Sequence, residues 1–408
     1  MIRSRTCDCS FGQLPIASVK RRPGTTAACF LAHLQNEREI LSSSSMNERC
    51  VAILGWRDEP TDAVEEYCQN LSHALPHHGI QLELYRVRWP EVGWTRALGE
   101  LRRKAQESQA KWFLVQYTAL GWSRRGFPSR VIRTIRAIKK GGKSCGVVFH
   151  DPSPYPGERL IDGLRRAIQL HTMKKIVDLA DLNVLTIPPE NISWIPKGRP
   201  NVVFIPVGAN LPHPETAWDL ESQRADRKPT VAVYSISDGA LGGIEAKRVA
   251  VALRFATEQF GPVRLLVLGR NSEVRGRQLQ EELSGSRVEI KIHGLLKADE
   301  VVRVLSGCDV LLFVRGPISS RRGSALAGIA CGLPVVAWTG WETGPPVTEA
   351  GVMLCPENAE DAFGPALVQV LKDDALRATL REHSRRAQAQ HFSWDRIAGK
   401  LAVVLHSR

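Results

Sequence analysis

The chain alternates short apolar runs with stretches in which apolar residues recur every three or four positions. Val51 to Leu54 reads as a buried strand; a loop, Gly55 to Asp62, follows, and Val64, Tyr67, Leu71 and Leu75 then recur at helical spacing. Further strands are predicted at QLELYRV (81–87), WFLVQY (112–117), CGVVFHD (145–151), NVLTI (183–187) and NVVFIPVG (201–208), with helices between them, including one around Leu98 to Ala110. Strand and helix alternating in this way predict a parallel, doubly wound sheet. After a charged, Pro-containing linker, 212–229, the pattern begins again with TVAVYSIS (230–237), a Gly-rich turn at Asp238 to Gly243, and a helix through Ala256. VRLLVLGR (263–270), VEIKIHG (288–294) and a helix from Asp299 continue it, and FSWDRIAGKLAVVL (392–405) predicts an amphipathic helix with no strand after it. The expected organisation is therefore one α/β domain over 46–211, a second over 230–390 and a terminal helix over 391–408. Two such domains facing each other place the carboxyl ends of both sheets on one cleft.

The stretch VLLFVRGPISSRRGSALAGIACGLPVVAW (310–338) holds the most specific chemistry. A strand (Val310 to Val314) leads through a polar loop, Arg315 to Gly323, into a small-residue helix that Gly332 and Pro334 terminate, and a second strand follows at Val335. The amide N–H groups that open a helix lack intrahelical partners and carry partial positive charge, so this loop is a place for an anion. Ser320 or Ser324 is placed to cap, Gly323 lets a ligand approach the backbone, and Arg321 and Arg322 are placed to pair with a diphosphate. Arg315 and Ser319 complete the candidate anion-binding set. Glu342 is the nearest carboxylate in sequence to that loop. His150 and Asp151 end a strand of the first domain. Asp58, Glu59 and Asp62 lie on the first strand-to-helix loop, and surface charge is the favoured reading for them.

Charge and composition add three constraints. The chain has 408 residues and a net charge of +13, which implies an anionic partner. Trp122 to Lys143 carries Arg124, Arg125, Arg130, Arg133, Arg136, Lys139, Lys140 and Lys143 with no acid, while Val131, Ile135 and Ile138 share a helical face. This reads as a surface for an anionic membrane or a lipid diphosphate; nucleic acid is not expected, because no recognition motif accompanies the charge. Nine cysteines without a CxxC or zinc spacing, and no apolar run long enough for a membrane helix, suggest reduced thiols in a cytoplasmic protein, peripheral to the membrane at most. Cys7 and Cys9 read as incidental, and no metal is expected. Residues 1–45 lack periodicity and read as a disordered leader, with Met46 as an alternative start.

LLVLG, IKIHGLLKADEVVRVLSGCDVLLFV, ALAGIACGLPVVAW, EAGVMLCPENAEDAF and FSWDRI occur in the order found in glycosyltransferase family 4, and the chain resembles that family over most of residues 50–400. The resemblance implies a GT-B fold of two Rossmann-like domains and transfer of a sugar from a nucleotide diphosphate sugar, a substrate rather than a cofactor, to a glycan or lipid-linked acceptor. It implies too that the Arg315 to Ser324 loop binds the donor, that His150 faces the donor sugar, where His150 or Asp151 has access to a sugar hydroxyl or an acceptor proton, that Glu342 is placed for a ribose or sugar hydroxyl, and that the terminal helix crosses back onto the first domain. If it extends to stereochemistry, the anomeric configuration is retained. The paired glutamates of the family align instead with Ser319 and Ala327, and its diphosphate-binding Arg and Lys have only displaced counterparts in Lys247 and Arg248. Arg315, Arg321 and Arg322 are the expected replacements. The rival reading is a catalytically degenerate GT-B protein that binds a partner or an anionic surface; a dinucleotide oxidoreductase is disfavoured because no GxGxxG follows either domain's first strand.

Overall fold

The computed structural model describes residues 48–56, 61–155, 157, 159–218, 228–357 and 359–408. Asp58, Glu59, the leader and Met46 lie outside the described residues, as do residues 219–227 of the linker. The first sheet holds β1 (Glu48–Leu54), β2 (Ile80–Arg86), β3 (Trp112–Tyr117), β4 (Ser144–Phe149), β5 (Leu182–Leu185) and β6 (Val202–Phe204), in the spatial order β2-β1-β3-β4-β5-β6. Its principal helices are α1 (Ala63–Ala74), α2 (Trp94–Glu107), α3 (Val131–Lys140) and α4 (Leu160–Leu179). The second sheet holds β7 (Thr230–Tyr234), β8 (Val263–Leu268), β9 (Val288–Gly294), β10 (Val310–Phe313), β11 (Val335–Trp338) and β12 (Val352–Cys355), ordered β12-β11-β10-β7-β8-β9. With it go α5 (Gly239–Gln259), α6 (Ser272–Glu282), α7 (Ala298–Ser306), α8 (Gly323–Ala330), α9 (Phe363–Lys372), α10 (Asp374–Ala387) and the terminal α11 (Trp394–His406). Every pairing in both sheets is parallel.

Helices on both faces bury parallel strands completely, which is why their sequences are continuous apolar runs; all six residues of β3 are buried. One core cluster joins the halves, from Ala52 and Leu71 through Val207 and Phe392 to Ala327 and Leu333. Helix α11 lies on the first half: the Trp394 ring meets Tyr67 edge-on at 5.4 Å, its Nε1 donates to Ala209 O at 2.8 Å, and Asp395 Oδ1 is 3.0 Å from His78 Nε2. A Cβ at Gly208 would come within 2.9 Å of the Trp394 ring, so this crossing requires glycine.

Three expectations change. Asp238 to Gly243 is the start of α5 and not a turn: the Asp238 carboxylate accepts from Gly239 N, and a Cβ at Gly242 would lie 1.9 Å from Ser237 O. Gly242 serves close packing, while Gly239 supplies the left-handed backbone, φ +58°, on which the helix opens. Asp62 is not surface charge; at 7% exposure it caps α1 through Val64 N and Glu65 N and accepts from Arg86 at 3.1 Å. The apolar stripe of the basic helix α3 belongs to the core, since Val131, Ile135 and Ile138 are fully buried and Trp122 donates its indole N–H to Gln116 O. Arg125, Arg133, Arg136, Lys139 and Lys140 remain exposed, so α3 offers cations to solvent without an apolar anchor.

Candidate active site

A cleft of about 540 Å³ opens between the carboxyl ends of the two sheets. The loop between β10 and α8 forms much of its second-domain wall, and that loop is tied across to the first domain. Ser320 Oγ donates to Thr186 O at 2.6 Å, and Val207 N donates to Ser320 O at 3.1 Å. Arg321 grips Glu342 with both arms of its guanidinium, Nε to Oε2 at 2.9 Å and Nη2 to Oε1 at 2.5 Å, and its Nη1 reaches Asp151 Oδ1 at 3.3 Å. Ser319 Oγ donates to Glu342 at 3.0 Å and Tyr155 OH to Asp151 at 2.9 Å, so the carboxylates are held from both ends. Burial pushes the Glu342 carboxyl up, but the hydrogen bond and charge of Arg321, the charge of Arg322 and the Ser319 hydroxyl outweigh it and leave the group below its ordinary value. The Arg321 guanidinium is correspondingly raised against the effect of burial by Glu342 and Asp151.

This network reassigns several candidate residues. Ser319 and Ser320 are 0% and 1% exposed and spend their hydroxyls inside the protein, so they fix the loop and are not donors to a ligand. Neither Ser320 nor Ser324 caps α8, which starts without a side-chain cap. Glu342, 3% exposed, is saturated by Arg321 and Ser319 and does not present itself to a sugar. Arg321 lines the cleft, but its fork is occupied. Asp151 ends in the same network.

What remains for an anion is Arg315 and Arg322, with Gly323 and Ser324 at the start of α8, all lining the cleft. The Nε atoms of Arg315 and Arg322 are buried without a hydrogen-bond partner. An unsatisfied buried donor on a guanidinium is costly, and here two occur side by side on one wall. Burial and the charge of Arg321 push Arg322 down to about 10, and burial, assisted by Arg270, lowers Arg315. At about 10, Arg322 stays cationic at neutral pH. Glu245, buried in α5, accepts from Ser237 N and Oγ at 2.7 Å and contributes its charge to Arg315.

Lys247 and Arg248 do not reach this cleft: Lys247 is exposed on the outer face of α5, and the Arg248 guanidinium stacks 4.3 Å over the Trp338 ring. The cation that sequence reasoning missed is Arg270, directly after β8, whose Nε donates to Thr61 Oγ1 at 3.0 Å across the cleft. Its position at the carboxyl end of a parallel strand was the available signal.

His150 packs edge-on to Tyr67 at 4.9 Å, with Nε2 2.9 Å from Gln116 Oε1. Gln116 Nε2 already donates to Leu114 O, so its oxygen faces the imidazole and His150 must carry its proton on Nε2, leaving Nδ1 as an acceptor. Burial, opposed by the charge of Asp62 and assisted by that of Arg321, pushes the imidazole down to about 4, so it is neutral at physiological pH.

No curated protein matches the chain in sequence. Sucrose-phosphate synthase from Thermosynechococcus elongatus is similar in structure, with a TM-score of 0.63 at 17% identity over 88% of this chain and 98% of that one. HepE from Anabaena in complex with UDP and glucose superimposes with a TM-score of 0.60 at 14% identity, covering 88% of this chain and 100% of its own. A glycosyltransferase from Rickettsia africae gives 0.60 at 11% identity over 89% and 99%. These likenesses show the GT-B fold, and the family Glycosyl transferases group 1 matches residues 240–373, from the start of α5 to the end of α9. Residues 240–373 thus match the glycosyl transferases group 1 family inside a chain of GT-B fold.

Proposed function

We propose that the protein transfers a sugar from a nucleoside diphosphate sugar, with the diphosphate seated on Arg315, Arg322 and the opening turn of α8. The carrying observation is the pair of half-buried guanidiniums of Arg315 and Arg322 on the cleft wall, whose Nε donors have no protein partner. A dianion in the cleft would compensate both charges. As the bond to the sugar breaks, negative charge grows on the departing diphosphate, and fixed cations in a partly desolvated site stabilise it where it forms. Arg321 acts differently: it draws the loop against Asp151 of the first domain and so holds Arg322 in place. The neutral His150 packs against Tyr67 and Gln116 and does not line the cleft, so no ligand contact is assigned to it. HepE binds UDP, which makes uridine the first choice of base here. Calorimetric titration with UDP, GDP and ADP is expected to show one nucleotide binding, UDP foremost, and the matching sugar nucleotide to be turned over. A folded protein that binds none of the three would favour a non-catalytic role.

We further propose that the acceptor is presented at an anionic membrane surface. No helix among the described residues is long and apolar enough to cross a bilayer. Yet α4 exposes Leu160, Ile161 and Leu164 at 98%, 46% and 55%, flanked by Arg159, Arg166, Lys174 and Lys175. Asp162, the one acid among them, is engaged by Arg165. Helix α3 packs beside α4 and adds its exposed cations. Apolar side chains inside a cationic field match the interface of an anionic bilayer. Flotation with phosphatidylglycerol-containing vesicles is expected to recover the protein, and Leu160→Asp/Leu164→Asp to abolish recovery. Equal recovery with pure phosphatidylcholine, or no effect of the double variant, would remove this surface from the account.

A further inference from the structure

The cleft wall facing the arginines is one face of α1. Glu66, Gln69, Asn70 and His73 follow the i, i+3, i+4, i+7 spacing, all four line the cleft, and Asn210 joins them from the segment after β6. The opposite face, Tyr67, Cys68, Leu71 and Ala74, is the buried one. A helix needs only its apolar stripe to fold, so an unbroken polar stripe turned into a cleft is unexplained by packing.

Its hydrogen bonds fix what it offers. Asn70 Nδ2 donates to Glu66 O at 2.9 Å, and Asn210 Nδ2 donates to Ala63 O and to Glu66 Oε2, each at 3.2 Å. Those bonds set both amide orientations, leaving the two Oδ1 atoms and Glu66 Oε1 as acceptors. Glu66 is the only carboxylate among the described residues lining the cleft. Tyr234, at the end of β7, stands near Glu66: burial and then the charge of Glu66 push its phenol up to about 12, so it remains protonated. One wall thus supplies cationic donors and the other neutral and anionic acceptors. A ligand that satisfies both carries phosphate oxygens on one side and hydroxyl donors on the other.

We infer that Glu66, with Asn70 and Asn210, binds a vicinal pair of hydroxyls, belonging either to the ribose of the nucleotide or to a sugar ring. The carboxylate takes the place of water for two O–H donors, as an acidic residue does for ribose in dinucleotide sites. This inference rests on the nucleotide-sugar reading above, whose own failure would show as wild-type protein that binds no nucleotide.

The test compares wild type with Glu66→Ala, Glu66→Gln and Asn70→Ala, titrated with UDP and with 2′,3′-dideoxyuridine diphosphate. Loss of a hydrogen bond to a charged group weakens binding about tenfold or more. If the hydroxyls are the ribose's, Glu66→Ala weakens UDP by that factor and leaves the dideoxy analogue unchanged. If they belong to a sugar ring, UDP is unaffected, while the KM for the acceptor or the extra affinity of UDP-glucose over UDP falls by the same factor. Glu66→Gln, which keeps the shape and the bond to Asn210, should fold normally and show a smaller loss. Affinities and KM values within twofold of wild type in both Glu66 variants, with unchanged melting temperatures, would overturn the inference.

Discussion

Arg321→Met is expected to destabilise the folded protein by about 3–5 kcal/mol at pH 7, the loss typical of stripping one partner from a buried ion pair. Glu342, whose side chain is 4% exposed, would keep its charge with only the Ser319 hydroxyl and the more distant Arg322, at 3.9 Å, to compensate it. Asp151 would retain Tyr155 alone. The effect has a pH signature. In the wild type the Glu342 carboxyl is lowered by Arg321, so its stabilisation is present above the unfolded carboxylate value and is lost as pH falls through the folded value. In the variant burial acts without the arginine and raises the same group, so the folded state binds a proton more readily than the unfolded one and gains stability on acidification. The gap between the two proteins should therefore narrow from pH 7 to pH 5 in urea unfolding. Glu342→Gln added to Arg321→Met should restore part of the loss, because the uncompensated charge, and not the missing contact, carries most of it. A deficit below about 1 kcal/mol, or one indifferent to pH, would show that the network is solvated and not a clamp.

The sheets were legible because buried parallel strands leave continuous apolar runs and their helices leave a three-to-four spacing. The same signals fail at the cleft. Ser319, Arg321 and Glu342 meet across more than twenty positions, and nothing local says that Arg321 turns to a carboxylate while Arg322 does not. The Gly-rich segment at 238–243 carries turn composition, yet it opens α5, with Gly242 pressed against Ser237 O and only Gly239 in a left-handed, turn-like conformation. Asp62 sits in a loop that looks solvated, and only the fold brings Arg86 to it. For α3, an apolar stripe facing a membrane and one facing a core are the same pattern; the choice was made by the sheet beneath it. The Arg315 to Ser324 loop was singled out from its place after a parallel strand, a topological signal that survives when individual contacts are misassigned, and the structure sets it on the cleft wall. Arg270 occupies the equivalent place after β8 and went unnoticed because its strand ends in LGR without a polar loop to advertise it.

Arg322→Ala is expected to weaken nucleotide binding by about 10- to 100-fold, from the roughly 1.5–3 kcal/mol of a hydrogen bond to a charged group, and to lower kcat further. The second effect follows from timing: a cation beside the diphosphate interacts more strongly once the leaving group has taken up charge, so the variant should lose kcat as well as affinity. Stability should move the other way. Arg322 is half-buried, its Nε has no partner, and desolvation with the charges of Arg321 and Arg315, only partly offset by Glu342 at 3.9 Å, pushes its guanidinium down to about 10. Removing it takes an ill-compensated charge out of the unliganded protein, so Arg322→Ala should melt at or above the wild-type temperature. Arg315→Ala should behave similarly, and the double variant should lose less than the sum because both cations act on one dianion. The contrast with Arg321 is the informative part: two adjacent arginines of one loop, one whose loss unfolds and one whose loss disarms without unfolding. Equal destabilisation by both would mean that Arg322 is part of the clamp, and the diphosphate site would then have to be sought around Arg270 and Arg315.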